Sequence, residues 1–158
     1  MSEQIENRLL AFWRECGAAP RPGVSAGELR ACEDRIGRTL PMEVASVYRC
    51  VNGTKATTGW LFEAWPLARF GSVPEVVTPF AGIPDYSQIA TKLPDAAEYF
   101  AFADYMIWSR VFAVRLARGS GPTQVVALCG DSWVEIAPTF AAFWERYLSD
   151  PDAALFAG

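Results

Sequence analysis

Glu63, Asp85, Asp95, Glu98, Asp104 and Asp131 are the side chains best suited to acid–base chemistry, because two carboxyl groups in different environments can divide the roles of acid and base. Their spacing along the chain fixes no pair, and solvated loop acids are far commoner than catalytic ones. The chain has no histidine. That removes the commonest general base, the usual activator of a Ser or Cys nucleophile and the commonest metal ligand. Hydrolase triads are excluded, and the reading is a protein that is not an enzyme.

Other reactive residue types have structural readings. Cys16, Cys32, Cys50 and Cys129 contain no C-x-x-C pair and read as buried free thiols rather than as a zinc site or a disulfide framework. Gly119-Ser120-Gly121-Pro122 lacks the Lys-Ser/Thr of a phosphate-binding loop and reads as a hairpin turn. Asp131-Ser132 reads as a turn between strands, with too few oxygen ligands for a divalent ion. Trp108, Arg110, Phe112, Arg115 and Arg118 interleave aromatic and basic groups, but alternating arginines are expected on the solvent face of a half-buried sheet. Neither a cofactor nor a metal is expected. Trp60, Phe62, Glu63 and Trp65 crowd ahead of an acidic, Pro-rich stretch, and tryptophan beside carboxylates is the composition of a protein-binding hot spot. The candidate partner-binding residues are therefore Trp60, Phe62, Glu63, Trp65, Asp85, Tyr86, Asp95 and Asp104.

The elements that must position these residues are legible in outline. Ile5, Leu9, Phe12, Trp13 and Cys16 recur at helical steps, which predicts a helix over 3–16 stopped by Gly17 and followed by a loop over 17–24. Ser25 and Glu28 form a capping-box pattern for a helix over 26–36 that buries Leu29, Cys32 and Ile36. Pro41 opens a third helix with Val44, Val47, Tyr48 and Val51 on one stripe, and Asn52-Gly53 is expected to cap it. A first strand is expected within 58–67, a capped short helix at Ser72-Val73-Pro74-Glu75, and a long surface loop over 79–95. From Tyr99 the chain reads as a meander whose imperfect alternation predicts a sheet covered partly on both faces. Thr139 caps a last helix with Phe140, Phe143, Trp144, Tyr147 and Leu148 on its core stripe.

At 158 residues with 51% hydrophobic side chains, residues 1–158 read as one domain able to bury a real core. The first residues are acidic and amphipathic rather than signal-like, and no apolar run reaches the roughly 18 residues of a membrane span. A cytoplasmic protein with no membrane contact is expected. The formal charge of −4 disfavours direct nucleic-acid binding, and the acid is concentrated: residues 1–55 carry +1, residues 56–109 carry −4 and residues 110–158 carry −1.

Residues 28–53, ELRACEDRIGRTLPMEVASVYRCVNG, hold two short helices around Ile36-Gly37 and Leu40-Pro41 and stop at Asn52-Gly53. With Glu33, Tyr48, the Tyr99-to-Asp104 strand and Phe140-Ala-Ala-Phe143, this order resembles the SUKH superfamily over roughly 25–148. The resemblance implies an α+β fold, a mostly antiparallel twisted sheet with N-terminal helices and a C-terminal helix packed on it. It further implies a non-catalytic protein-binding domain, an immunity protein that neutralises a cognate bacterial toxin, often a nuclease. The alternative it implies is an intracellular scaffold or regulatory module with no toxin partner. The chain departs from the family pattern where a Gly-rich hairpin commonly follows the central strand, since Asp104 here runs on through Tyr105-Met106-Ile107-Trp108. The 79–95 segment matches no family motif.

Overall fold

The N-terminal half builds helices where apolar residues recur at three- and four-residue steps and where a cap closes them. The computed structural model describes residues 4–55, 61–119 and 121–156. Residue 3 of the expected first helix, residues 58–60 of the expected first strand, candidate Trp60, and Ser120 of the expected 119–122 turn lie outside them. Helix α1, Ile5–Cys16, buries Leu9 and Trp13 and ends on Gly17 in the left-handed conformation, φ 76°. Strand β1, Pro20–Pro22, occupies part of what reads as a loop over 17–24. Helix α2, Ala26–Ile36, starts at the expected capping box, with Ser25 accepting from the Glu28 amide and the Glu28 side chain reaching back to Ser25. The Leu40 amide donates to Glu33 Oε2 at 2.7 Å, so the Ile-Gly…Leu-Pro turn is tied by a carboxylate.

Helix α3, Met42–Cys50, follows Pro41 and buries Val44, Ala45, Val47 and Tyr48. It does not run to an Asn-Gly cap. Val51 is already extended, at φ −149°, and Val51–Thr54 is strand β2, paired antiparallel with β1. Gly53 is left-handed, φ 72°, for a tertiary reason: a Cβ there would sit 2.3 Å from the Ala64 carbonyl oxygen. Asn52 Oδ1 accepts from the Leu67 amide at 2.7 Å. The pair thus joins β2 to the segment after strand β3, Phe62–Ala64, instead of ending a helix.

After the 3₁₀ turn Leu67–Arg69 come strand β4, Gly71–Ser72, a π-helical turn Val73–Val77, helix α4, Ile89–Lys92, and a 3₁₀ turn Ala96–Glu98. The expected helix at Ser72 is present in this form, but the Ser72 side chain makes no capping bond. The meander follows as strands β5, Tyr99–Tyr105, β6, Arg110–Arg115, β7, Val125–Cys129, and β8, Ser132–Ala137. Helix α5, Phe140–Ser149, is capped by Thr139 Oγ1 accepting from the Ala142 amide, and a short helix α6, Pro151–Leu155, comes after it.

Among the described residues the fold is α+β, with an antiparallel sheet of six strands in the order β3-β5-β6-β7-β8, and β4 beside β3 along the same edge of β5. Alternation sends Phe100, Phe102, Phe112, Val114, Val125 and Ala127 into a core with α1, α3 and α5. Tyr99, Ala101, Val111, Ala113, Val126 and Leu128 face the other way, into a second core closed by Val73, Val77, Tyr86, Ile89, Leu93 and Ala96. The 79–95 stretch is therefore not a surface loop. Its three deepest side chains, Tyr86, Ile89 and Leu93, cover a sheet face that would otherwise lie bare. The two cores share one sheet, and the described residues form one domain.

Two further expectations change. Only Cys32 among the thiols is buried; Cys16 and Cys50 are half-buried and Cys129 is exposed. The four residues between Arg110 and Arg115 are all buried, so these arginines sit at the ends of a covered strand, not on a solvent face. Arg115 donates to Glu98 Oε2 at 2.8 Å, and that bond holds its guanidinium even more firmly charged than usual.

Candidate functional site

Four of the eight candidate residues are interior. Phe62, Trp65, Tyr86 and Asp104 are buried, which puts them out of reach of a partner and corrects the expectation of an aromatic–acid cluster on the surface. The reason is size: an aromatic ring removes so much apolar area from water that both sheet faces recruit whatever rings lie nearby. Glu63 is half-buried, and its Oε1 pairs with Arg69 Nη1 at 3.2 Å, while the same guanidinium lies 4.2 Å over the Trp65 ring. Asp85 and Asp95 are exposed. Asp85 accepts from the Ser87 amide at 2.8 Å, and that bond holds its carboxyl below the ordinary range. Asp95 lies 3.6 Å from Arg115, the residue that also binds Glu98. Asp131 is exposed at the β7–β8 turn.

Glu63 and Asp104 stand directly opposite each other in the β3–β5 register. They do not bond to each other; each carboxyl group is held by its own donors. Asp104 Oδ1 accepts from the Trp65 indole at 2.6 Å and Oδ2 accepts from the Trp108 amide at 3.1 Å. A buried carboxyl group with two donors is a structural clamp, and what it clamps is the turn between β5 and β6.

That turn is unusual in its backbone. Met106, Ile107 and Trp108 are consecutive and all left-handed, with φ of 49°, 50° and 66°. For residues other than glycine this conformation costs roughly 1–2 kcal/mol each, and for β-branched Ile107 it is a genuine outlier. Interlocking contacts over-determine it. The Met106 amide donates to the Leu61 carbonyl at 2.9 Å, the Ser109 amide to the Met106 carbonyl at 3.2 Å, and the Ser109 hydroxyl to the Tyr105 carbonyl at 2.8 Å. The buried Tyr86 hydroxyl donates to the Trp108 carbonyl at 2.6 Å. The Trp108 ring stacks on Phe80, 4.3 Å between centroids, and tilts against Trp65 at 5.3 Å. Backbone strain held in this way is characteristic of functional positions.

Two of the three left-handed residues, Met106 and Ile107, face outward. Ile107 is 85% exposed and Met106 50% exposed, and Leu61, hydrogen-bonded to Met106, is also 50% exposed. Phe156, 48% exposed, packs edge-on against Tyr105 at 5.0 Å. Beside them an open groove of about 500 Å³ runs between α1 and α6, lined by Phe12, Cys16, Leu61, Tyr105 and Leu155, with Asp152 on its wall. Arg110 donates to the Leu155 carbonyl at 3.2 Å and ties α6 to the sheet. Exposed apolar side chains gathered beside a groove in this way make the candidate interaction surface. Its central residues, Met106 and Ile107, are absent from the candidates drawn from composition. The available signal is the run Tyr105-Met106-Ile107-Trp108, which joins two strands without a single Gly, Asn, Asp or Pro.

Among the described residues, no group of three or more His, Cys, Asp or Glu side chains is placed to hold a metal ion, and no helix is long and apolar enough to cross a membrane. Neither protein-family models nor the sequences of curated proteins match this chain.

Proposed function

We propose that this chain is a non-catalytic protein-binding domain, an immunity protein of SUKH type that neutralises a cognate bacterial toxin in the cytoplasm by occupying its surface. The observation that carries the protein-binding part is the apolar surface of Leu61, Met106, Ile107 and Phe156 beside the α1–α6 groove, set on a rigid, doubly covered sheet. The SUKH part is supported by the resemblance around Glu33, Ile36-Gly37 and Leu40-Pro41 and by the agreement in fold class. The choice of a basic partner such as a nuclease is supported by the −4 charge of residues 56–109, which would complement a cationic protein and speed its association.

The test is capture from native lysate by the tagged chain, with bound proteins identified by mass spectrometry and the mass of the complex measured. One stoichiometric, basic, toxin-like partner is the expected result. Several substoichiometric partners would favour the scaffold alternative, and a chain that retains no protein would refute the reading.

A further inference from the structure

We propose that β8 is the seam of a homodimer, its outer edge paired antiparallel with the same edge of a second copy of this chain about a two-fold axis at Val134. β8 ends the sheet. At the opposite end β3 is closed off, because the Ala64 amide donates to the Thr54 hydroxyl of β2 at 3.1 Å. The hairpin that joins β7 to β8 turns through two residues, Gly130-Asp131, with Gly130 at φ 61°. A two-residue turn makes its flanking pair, Cys129 and Ser132, a hydrogen-bonded one, and bonded and non-bonded pairs alternate from there. Val134, opposite Ala127, therefore bonds to β7, while Trp133 and Glu135 turn their amides and carbonyls outward. Among the described residues, no turn or loop bond takes up those four groups. Arg146 reaches the Ile136 carbonyl at the bulged end of the strand, but Ser132–Glu135 carries neither the proline nor the lysine that blunts a free edge.

Charge selects a second copy as the occupant. With the axis at Val134, Trp133 of each strand stands opposite Glu135 of the other, and four backbone bonds close between them. The Trp133 indole donates to the Lys92 carbonyl at 3.2 Å, which fixes the end of α4 beside this position. Glu135 of the second copy thus arrives next to Lys92 of the first, and the reverse. Lys92 and Glu135 are exposed, and neither has an ion pair among the described residues. One chain supplies both halves of two ion pairs, a complement that an unrelated strand does not bring. Four backbone bonds and two rings make a seam at the small end of the range for specific interfaces, so a Kd on the order of 10–100 μM is expected.

The experiment is sedimentation equilibrium on the purified full chain as wild type, Lys92→Glu, Glu135→Lys and the double variant that exchanges the two charges. It needs no toxin and does not rest on the proposed function. Wild type is expected to rise with concentration from 17.4 kDa toward twice that mass. Each single variant sets like charge beside like and is expected to weaken the dimer at least about fivefold, and the double variant to return within about twofold of wild type. The single changes lie on different elements at exposed positions, so a fold defect in one, read from its thermal midpoint, leaves the other to decide. A wild type that stays at 17.4 kDa at every soluble concentration would overturn the self-pairing. Should such a monomer capture a lysate protein that Glu135→Lys loses, the edge belongs to a foreign strand, which overturns it equally. A dimer indifferent to both single changes would overturn β8 as the seam, and a double variant as weak as the singles would overturn the Val134 register.

Discussion

Phe143 sits at the centre of the larger core, wholly buried, with Phe102, Phe112, Trp144 and Tyr147 rings within 6.4 Å of its own. Phe143→Ala is expected to lower stability by about 3–5 kcal/mol, read from denaturant unfolding, because rings packed this closely cannot collapse onto the cavity. Its role was legible: a ring at i, i+3, i+4 spacing on an amphipathic helix has one place to go. Tyr48 makes a second prediction. Its hydroxyl is fully buried and donates to the Trp65 carbonyl at 3.3 Å, and burial pushes its ionisation well above the ordinary tyrosine value of 10.0. The folded state therefore keeps a proton that the unfolded chain loses, so this contribution to stability is complete below about pH 10 and lost as pH rises beyond it. Tyr48→Phe is expected to flatten the fall of the thermal midpoint between pH 9 and 11 without abolishing it, since burial also raises Tyr86 and Tyr99. An unaltered slope would show that Tyr48 ionises equally in both states. At this scale the hardest residue to read is Asp104. Nothing in its neighbours along the chain reveals that its partners are an indole 39 positions earlier and an amide four positions later.

Elements divide according to where their causes lie. Helices α1, α2, α3 and α5 follow from local periodicity; α2, α3 and α5 start at the Ser25, Pro41 and Thr139 signals, while α1 starts at Ile5, after an extended Gln4, rather than at residue 3. The 79–95 stretch lacks any period because its buried residues, Tyr86, Ile89 and Leu93, answer to the sheet beneath. Read alone it resembles a loop; in place it is a lid of core. Leu93→Ala is accordingly expected to cost about 2–5 kcal/mol and to expose 79–95 to limited proteolysis, whereas a true surface loop would tolerate the change. Asn52-Gly53 misleads for a related reason. The dipeptide does supply a left-handed residue, φ 72° at Gly53, but the demand comes from the Ala64 and Trp65 backbones rather than from the end of a helix. The β5–β6 connection is the converse case, where the missing turn residues signal a special backbone without showing which one.

For the whole molecule the long-range quantity is charge. Asp85 and Asp95 are exposed members of the acidic stretch, and the Asp85→Asn, Asp95→Asn double variant brings the formal charge from −4 to −2. Asparagine keeps the Asp85 turn and suits the left-handed backbone of Asp95, φ 55°, so folding should be unchanged. Under the proposed function, association with a basic partner should slow several-fold at low ionic strength and show no difference at high salt, as measured by stopped flow. An on-rate that does not change at low salt would place the steering charge elsewhere. The sequence by itself determined helices α1, α2, α3 and α5 in outline, the Ser25 and Thr139 caps, the meander, the α+β class, the lack of histidine chemistry and the distribution of charge, because each depends on residue type and near neighbours. Only the tertiary structure decided which aromatics lie inside, that residues 73–98 roof the second sheet face, and that the apolar tip stands outside. Those outcomes arise from competition: there is more aromatic surface than exposed positions can hold, and the sheet's two faces settle which rings are withdrawn from water.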